Sequence, residues 1–272
     1  MAAYEVINGV NTNSGGRTLG ATLVFEGVKV WKGEPFERAM AHYYLGLTNM
    51  IKGDYENGRA AFRNSLFKLR EYAKDSKKNP EANQYKEFEN KFVLGYVGLG
   101  LCYQRTGNVN TAEANFKLAV EARPDLTPAV EQLKKPETNV LIFVDYGRGP
   151  QRGAKGWYGE ESAFGPTPQE AGPLPPIQVL ADGKVITQPV HYDLMDTLVM
   201  AQDQKWQDID TIRKTKAVVG TGAMAAGAGV AAYGASRGDT GTALAGLGVA
   251  LVGGALAASS QADLRYWEML PR

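Results

Sequence analysis

Residues 217–236 carry no charged side chain, and neither do residues 240–262. Only the short polar turn Ser236-Arg237-Gly238-Asp239 separates them. Each arm has about the length a helix needs to cross the hydrocarbon of a bilayer. The order arm, turn, arm predicts a helical hairpin with both ends on one side. The arms are rich in small residues and poor in large apolar ones. Val218, Val219, Met224 and Val230 supply about −2 kcal/mol on an insertion scale, and the leucines and valines of the second arm about −3 kcal/mol. In water the tract fares no better, because each of Gly220, Gly222, Gly227, Gly229 and Gly234 costs about 1 kcal/mol relative to Ala inside a helix. Something must pack on this hairpin.

Small residues recur every four positions along both arms, at Ala223, Gly227, Ala231 and Ala235, and at Thr242, Gly246, Ala250, Gly254 and Ala258. A stripe of this kind lets helix backbones approach closely, within one chain or between copies. The expected assembly or membrane residues are therefore Ala223, Gly227, Ala231, Gly246, Ala250 and Gly254. Two further readings stay open: a dry helix pair inside a soluble protein, and a low-complexity tail.

The remaining composition is that of a folded protein, 44% hydrophobic and 22% charged. A formal net charge of +1 provides no basic field for nucleic acid. One cysteine, Cys102, excludes an intramolecular disulfide framework. The first residues, Met1-Ala2-Ala3-Tyr4-Glu5, show neither a basic n-region nor an apolar h-region, so no secretion signal is visible. His42 and His191 are far apart, and no paired His, Cys-x-x-Cys or carboxylate motif is present. The chain is expected to be a non-enzyme without metal or cofactor, Cys102 being a core residue rather than a nucleophile.

Residues 39–70 and 93–124 share a pattern. Leu45-Gly46, Gly53 and Phe62 in the first stretch correspond to Leu99-Gly100, Gly107 and Phe116 in the second; the first adds Tyr55 but has Gly58 and Ser65 where Ala is usual, and the second adds Tyr103, Ala112, Ala119 and Pro124. This resembles the tetratricopeptide repeat, a helix-turn-helix of 34 residues. About 20 extra residues separate the two units, and the charged stretch around Lys74, Lys77 and Lys78 reads as a solvated connection. The resemblance implies that the inner helix face grips a peptide. By repeat phase that face includes Met40, Tyr43, Leu47, Met50, Val97 and Leu101, the expected partner-binding residues. So apolar a face is expected to be filled by another part of the chain or a second copy, or to be plain core.

Residues 139–146, Asn-Val-Leu-Ile-Phe-Val-Asp-Tyr, predict a buried strand. Residues 177–190 predict a hairpin turning at Asp182-Gly183, and Ala21–Phe25 with Val28–Trp31 predict another around Glu26-Gly27. Asp193 is expected to cap a helix with Leu194, Leu198, Ala201, Ile209 and Ile212 on one face, leading into the Gly/Ala hairpin. Residues 147–176 read as a long Gly/Pro-rich loop, whose Arg148, Arg152 and Lys155 are candidates to hold an anion or a lipid head group. The Gly-Lys-Ser/Thr ending of a nucleotide-binding loop is missing.

Trp31-Lys32-Gly33-Glu34-Pro35-Phe36-Glu37-Arg38, His42-Tyr43-Tyr44-Leu45-Gly46-Leu47 and Gly53-Asp54-Tyr55 together resemble a group of poorly characterised bacterial envelope proteins. Many of that group are lipoprotein-like and carry tetratricopeptide-like repeats. Val144-Asp145-Tyr146-Gly147-Arg148-Gly149-Pro150, the small-residue tract and the ending Ala262-Asp263-Leu264-Arg265-Tyr266-Trp267-Glu268-Met269-Leu270-Pro271 fit the same layout. The resemblance implies an envelope location, periplasmic or outer-membrane-linked, and no known activity; a cytoplasmic location is the alternative. No lipid-bearing cysteine stands near residue 1.

The expected architecture is α+β and mainly α: tetratricopeptide-like repeats, a small β-sheet and a C-terminal Gly/Ala-rich helical hairpin. The expected segments are 1–34 with a β-hairpin, 35–135 with the repeats, 136–192 with the small β region, and 193–272 with the C-terminal helix and hairpin. The expected role is a non-catalytic scaffold or assembly subunit of an envelope complex, with protein partners, a homo-oligomeric state and possible membrane contact through residues 217–262. The alternative is a soluble adaptor that binds a partner peptide through the repeats.

Overall fold

The computed structural model describes residues 33–75, 92–135, 137–138, 140–145, 147–155, 159, 161–166, 178–187, 197–201, 208–260 and 263–271. The chain is mainly helical, with two small β-hairpins, and it divides into two compact units. The first holds helices α1 (Pro35–Ile51), α2 (Tyr55–Asp75), α3 (Val93–Arg105), α4 (Val109–Ala122) and α5 (Thr127–Lys134). It also takes in a hairpin of β3 (Val179–Ala181) and β4 (Lys184–Thr187), the short helix α6 (Thr197–Ala201), and the chain from Trp267 onward. The second unit holds the hairpin of β1 (Gln151–Lys155) and β2 (Glu161–Gly165) and the helices α7 (Asp208–Ser236) and α8 (Thr240–Ala258). Segment 136–192 is thus no body of its own: residues 151–165 join the second unit and its other described residues the first.

Three helix pairs are closed by the same local device. The loops Lys52-Gly53-Asp54, Thr106-Gly107-Asn108 and Arg237-Gly238-Asp239 each place a glycine in the left-handed region, with φ of +78°, +79° and +70°. Only glycine adopts that conformation without a Cβ penalty. The Asx residue that follows then caps the next helix. Asp54 accepts from the N–H of Asn57, Asn108 from that of Thr111, and Asp239 from that of Thr242. Each satisfies one of the backbone donors that a helix leaves unpaired at its start. Replacing Asp239 by alanine should destabilise the α7–α8 pair by about 1 kcal/mol, whereas asparagine should be nearly neutral. Thermal unfolding followed by circular dichroism reads the difference.

Packing in the helical unit repeats in the same way. Gly46 of α1 lies under the ring of Phe62 in α2, where an added Cβ would come within 2.7 Å of the ring. Gly100 of α3 lies under Phe116 of α4, and there the distance would be 2.5 Å. Each phenylalanine follows its glycine by sixteen positions, so the two helical hairpins use one packing rule. Helix α3 then packs antiparallel on α2, with Gly95 against Leu66, Gly98 against Phe62 and Cys102 against Gly58. Phe36, Met40, Leu69, Phe92, Leu126 and Val130 complete the interior.

The β structure departs from expectation. The Asp182-Gly183 hairpin forms as predicted, with φ of +51° and +73° at the two turn residues. Residues 140–145, in contrast, form no strand, and Val140, Leu141, Ile142 and Val144 are exposed. A strand requires a backbone partner as well as apolar side chains. The ladders among the described residues are instead local, β1 with β2 and β3 with β4. The 147–176 loop is likewise corrected, because Gln151–Lys155 pairs in antiparallel register with Glu161–Gly165. Glycine-rich strands with few β-branched residues carry little strand signal, so the pairing was not legible. The Glu26-Gly27 hairpin, Asp193 and Leu194 lie outside the described residues. Ile209 and Ile212 lie on α7, which begins at Asp208.

Candidate assembly and membrane interface

Helices α7 and α8 are a tightly apposed antiparallel pair. Their seam is built of glycine facing glycine: Gly220 meets Gly253, and Gly227 meets Gly246. A Cβ at Gly227 would lie 2.3 Å from Ala250 N and 2.7 Å from Gly246 O. At Gly246 the same atom would lie 2.3 Å from Ala231 N and 2.7 Å from Gly227 O. Gly220 against Ala257 N (2.5 Å), Gly253 against Met224 N (2.4 Å) and Gly234 against Ala243 N (2.4 Å) continue the pattern. Backbone therefore touches backbone along the whole seam, the approach that small residues permit and any larger side chain forbids.

The closest contacts recur every seven residues rather than every four. Four residues overshoot a full turn of a 3.6-residue helix by about 40°, so a four-residue stripe winds off the seam within three steps. Seven residues fall short of two turns by only about 20°. Accordingly Gly227 and Gly246 lie in the seam, while Ala223, Ala231 and Ala250 are half-buried beside it. Gly254 stands at the edge, where a Cβ would meet only Met224 Sδ at 3.5 Å. Ala235 and Ala258 are exposed. Gly220, Gly234, Gly253 and Ala257 belong to the seam and were missed; the seven-residue spacings Gly220-Gly227-Gly234 and Gly246-Gly253 find the three glycines, and no glycine spacing marks Ala257.

The large apolar side chains point the other way. Val218, Val219, Val230, Tyr233, Leu244, Leu247, Val249, Leu251 and Val252 are all exposed, Leu251 by 74%. Of the apolar stretches Ala217–Ser236 and Thr240–Ala258, only 22% and 17% is buried. A water-soluble helix pair puts its large apolar residues in the contact and its small or polar ones outside. Here the order is inverted. Both helices are long and apolar enough to cross a membrane. Among described charges the turn supplies Arg237, whose guanidinium lies 5.2 Å from the Tyr233 ring centre, and Asp239, held below the usual carboxylate range by hydrogen bonds from Thr242.

The other candidate residues separate. Met40, Tyr43, Leu47, Val97 and Leu101 are buried in the helical unit, and Met50 is half-buried. Tyr43 packs against Phe62 and, edge-on, against Phe92, at ring distances of 5.9 and 6.4 Å. These side chains are packed interior in this structure rather than an open groove. Of the basic trio, Arg152 and Lys155 do not converge. Arg152 and Lys155 stand three positions apart on β1, hence on opposite faces. Arg152 donates to Ser162 Oγ at 3.1 Å and covers the Phe164 ring at 5.3 Å, so β2 engages it. Arg148 is exposed ahead of the strand.

His42 is buried on α1, and His191 lies outside the described residues. No cluster of three His, Cys, Asp or Glu side chains suited to a metal occurs among the described residues. Cys102 is fully buried, and desolvation pushes its thiol up to about 11. That leaves about 100-fold less thiolate near neutrality than at an ordinary thiol of pKa 9.0. A thiol reagent at pH 7.5 should accordingly spare the native chain and label it fully in denaturant. No protein-family model, curated protein or solved structure matches this chain.

Proposed function

We propose that this chain is a non-catalytic scaffold subunit of a bacterial envelope assembly, fastened to a membrane by the α7–α8 hairpin. One observation carries the reading: a dry glycine seam inside the hairpin with the large apolar side chains turned outward. Lipid tails are the surroundings that reward such an outer surface, and helix pairing in lipid rests on close backbone packing. The polar turn Arg237-Gly238-Asp239 then sits at one end of the hairpin, and the charged start of α7, with Asp208, Asp210, Arg213, Lys214 and Lys216, at the other. The envelope assignment rests on the resemblance of the Trp31–Tyr55 region. The paired glycine–phenylalanine packing and the Gly-Asx turns favour reading α1–α2 and α3–α4 as tetratricopeptide-like units that present protein-binding surface.

The test is the mass of the purified chain with and without mild detergent, beside a chain lacking residues 217–262. Detergent dependence confined to the full chain supports the membrane hairpin. A monodisperse monomer in plain buffer overturns it in favour of the soluble adaptor. A point change sharpens the outcome. Leu251→Asp places a charge on the outer surface, away from the seam, at about +3 kcal/mol for a charge in the hydrocarbon. It should abolish partition into vesicles while helix content stays unchanged. In a soluble protein the same change would be harmless.

A further inference from the structure

The two ends of the α7–α8 hairpin differ in charge. Its antiparallel seam runs from Gly220 against Gly253 to Gly234 against Ala243, so the turn lies at one end and the start of α7 and the finish of α8 at the other. The turn holds one cation, Arg237, and one anion, Asp239. The base is rich in cations. Lys205, Arg213, Lys214 and Lys216 precede the first apolar arm, and Arg265 and Arg272 follow the second. All of them fall within the roughly 15–20 residues beside a span over which lysine and arginine set its orientation. Asp203, Asp208, Asp210, Asp263 and Glu268 share the base, but acidic residues weigh little in this bias, which is not one of net charge.

The ends also differ in the folded structure they carry. The turn has nothing beyond its own cap: Asp239 accepts from Thr242 N–H, and the Arg237 guanidinium covers the Tyr233 ring. At the base, Arg265 clamps Asp263, with Nε at 2.9 Å and Nη2 at 2.6 Å from its oxygens. Arg152 of β1 is close enough to act on the same carboxylate, and β2 packs on α7. A folded polar body is therefore attached to one end of the hairpin and not to the other. Among the described residues only α7 and α8 are long and apolar enough to cross a membrane.

We infer that the hairpin is inserted with a fixed sidedness: its turn crosses to the far face of the cytoplasmic membrane, and its cationic base rests on the anionic cytoplasmic leaflet. Insertion this way moves only Arg237 and Asp239 through the hydrocarbon. The reverse orientation carries the whole set of base cations and the β1–β2 hairpin across. Anionic head groups and an inside-negative potential both hold lysine and arginine on the cytoplasmic side. The inference rests on the membrane reading above. It adds to that reading the membrane concerned, the lipid charge the base meets, and the side on which the repeats meet their partners.

The experiment treats full-length chains in bacterial spheroplasts and in inverted membrane vesicles with a membrane-impermeant maleimide. The wild-type chain, whose Cys102 is fully buried, is the blank. Thr240→Cys reports the turn, and Leu264→Cys, at a position 41% exposed, reports the base. Thr240→Cys is expected to react in spheroplasts and to lose its labelling in inverted vesicles, and Leu264→Cys to do the opposite. The exchanged pattern overturns the sidedness and leaves a spanning hairpin. Both cysteines reacting from the same side, or a chain that alkaline carbonate strips from the membrane, overturns the membrane reading and the inference with it. A second chain moves cations from base to turn by combining Arg213→Gln, Lys214→Gln, Lys216→Gln and Ser236→Lys, all residues that suit a helix. Labelling of Thr240→Cys in spheroplasts should then fall at least about twofold. Unchanged labelling overturns charge as the cause of the orientation.

Discussion

Gly227→Val should force α7 and α8 apart. The added Cβ would stand 2.3 Å from Ala250 N, and neither backbone can yield without separating the helices. Overpacking of this kind costs about 3 kcal/mol or more when the obstacle is main chain rather than a flexible side chain. The sign reverses two positions later. Gly229 has no atom within 4 Å of an added Cβ and faces outward, so Gly229→Ala should stabilise the helix by up to about 1 kcal/mol. Gly222 and Gly248 are equally open and should behave like Gly229. Thermal unfolding of the four variants in mild detergent checks the contrast. Equal behaviour of Gly227 and Gly229 would show that the two helices do not meet along this seam.

Phe62→Ala should be the most damaging change in the helical unit, by about 3–5 kcal/mol. Phe62 is fully buried and fills the gap among α1, α2 and α3, with Gly46 and Gly98 opened around its ring. The backbone at those glycines cannot collapse inward to fill the void, because neighbouring helices hold it. Phe116 occupies the corresponding place over Gly100, one glycine where Phe62 covers two, so Phe116→Ala should cost less. Urea unfolding followed by far-ultraviolet circular dichroism gives the comparison, and a loss below about 1 kcal/mol at Phe62 would contradict the packing described.

Much of this was legible in the sequence because it is local. The Gly-Asx turns at Gly53-Asp54, Gly107-Asn108 and Gly238-Asp239 name their own conformation, since only glycine takes the left-handed φ cheaply and an Asx side chain reaches the next free N–H. The same holds for the Asp182-Gly183 hairpin and for the existence and length of the two apolar arms. The strand-like run at 140–145 shows the limit of composition. Its residues suit a sheet, yet pairing depends on a neighbour that no local pattern supplies.

What the amino-acid sequence determined by itself was where the glycine turns between paired helices fall, and that the arms near the C-terminus contain residues small enough to touch. Only the tertiary structure decided which of those residues do touch. A stripe is read along one helix, but a seam is fixed by how two helices cross, which selects the seven-residue glycines over the four-residue alanines. It also decided that Trp267–Pro271 joins the helical unit. The bonds that hold it there, Trp267 N–H to Glu37 Oε1 and Gly149 N–H to the Leu270 carbonyl among them, run through backbone atoms, and backbone groups are the same in every sequence.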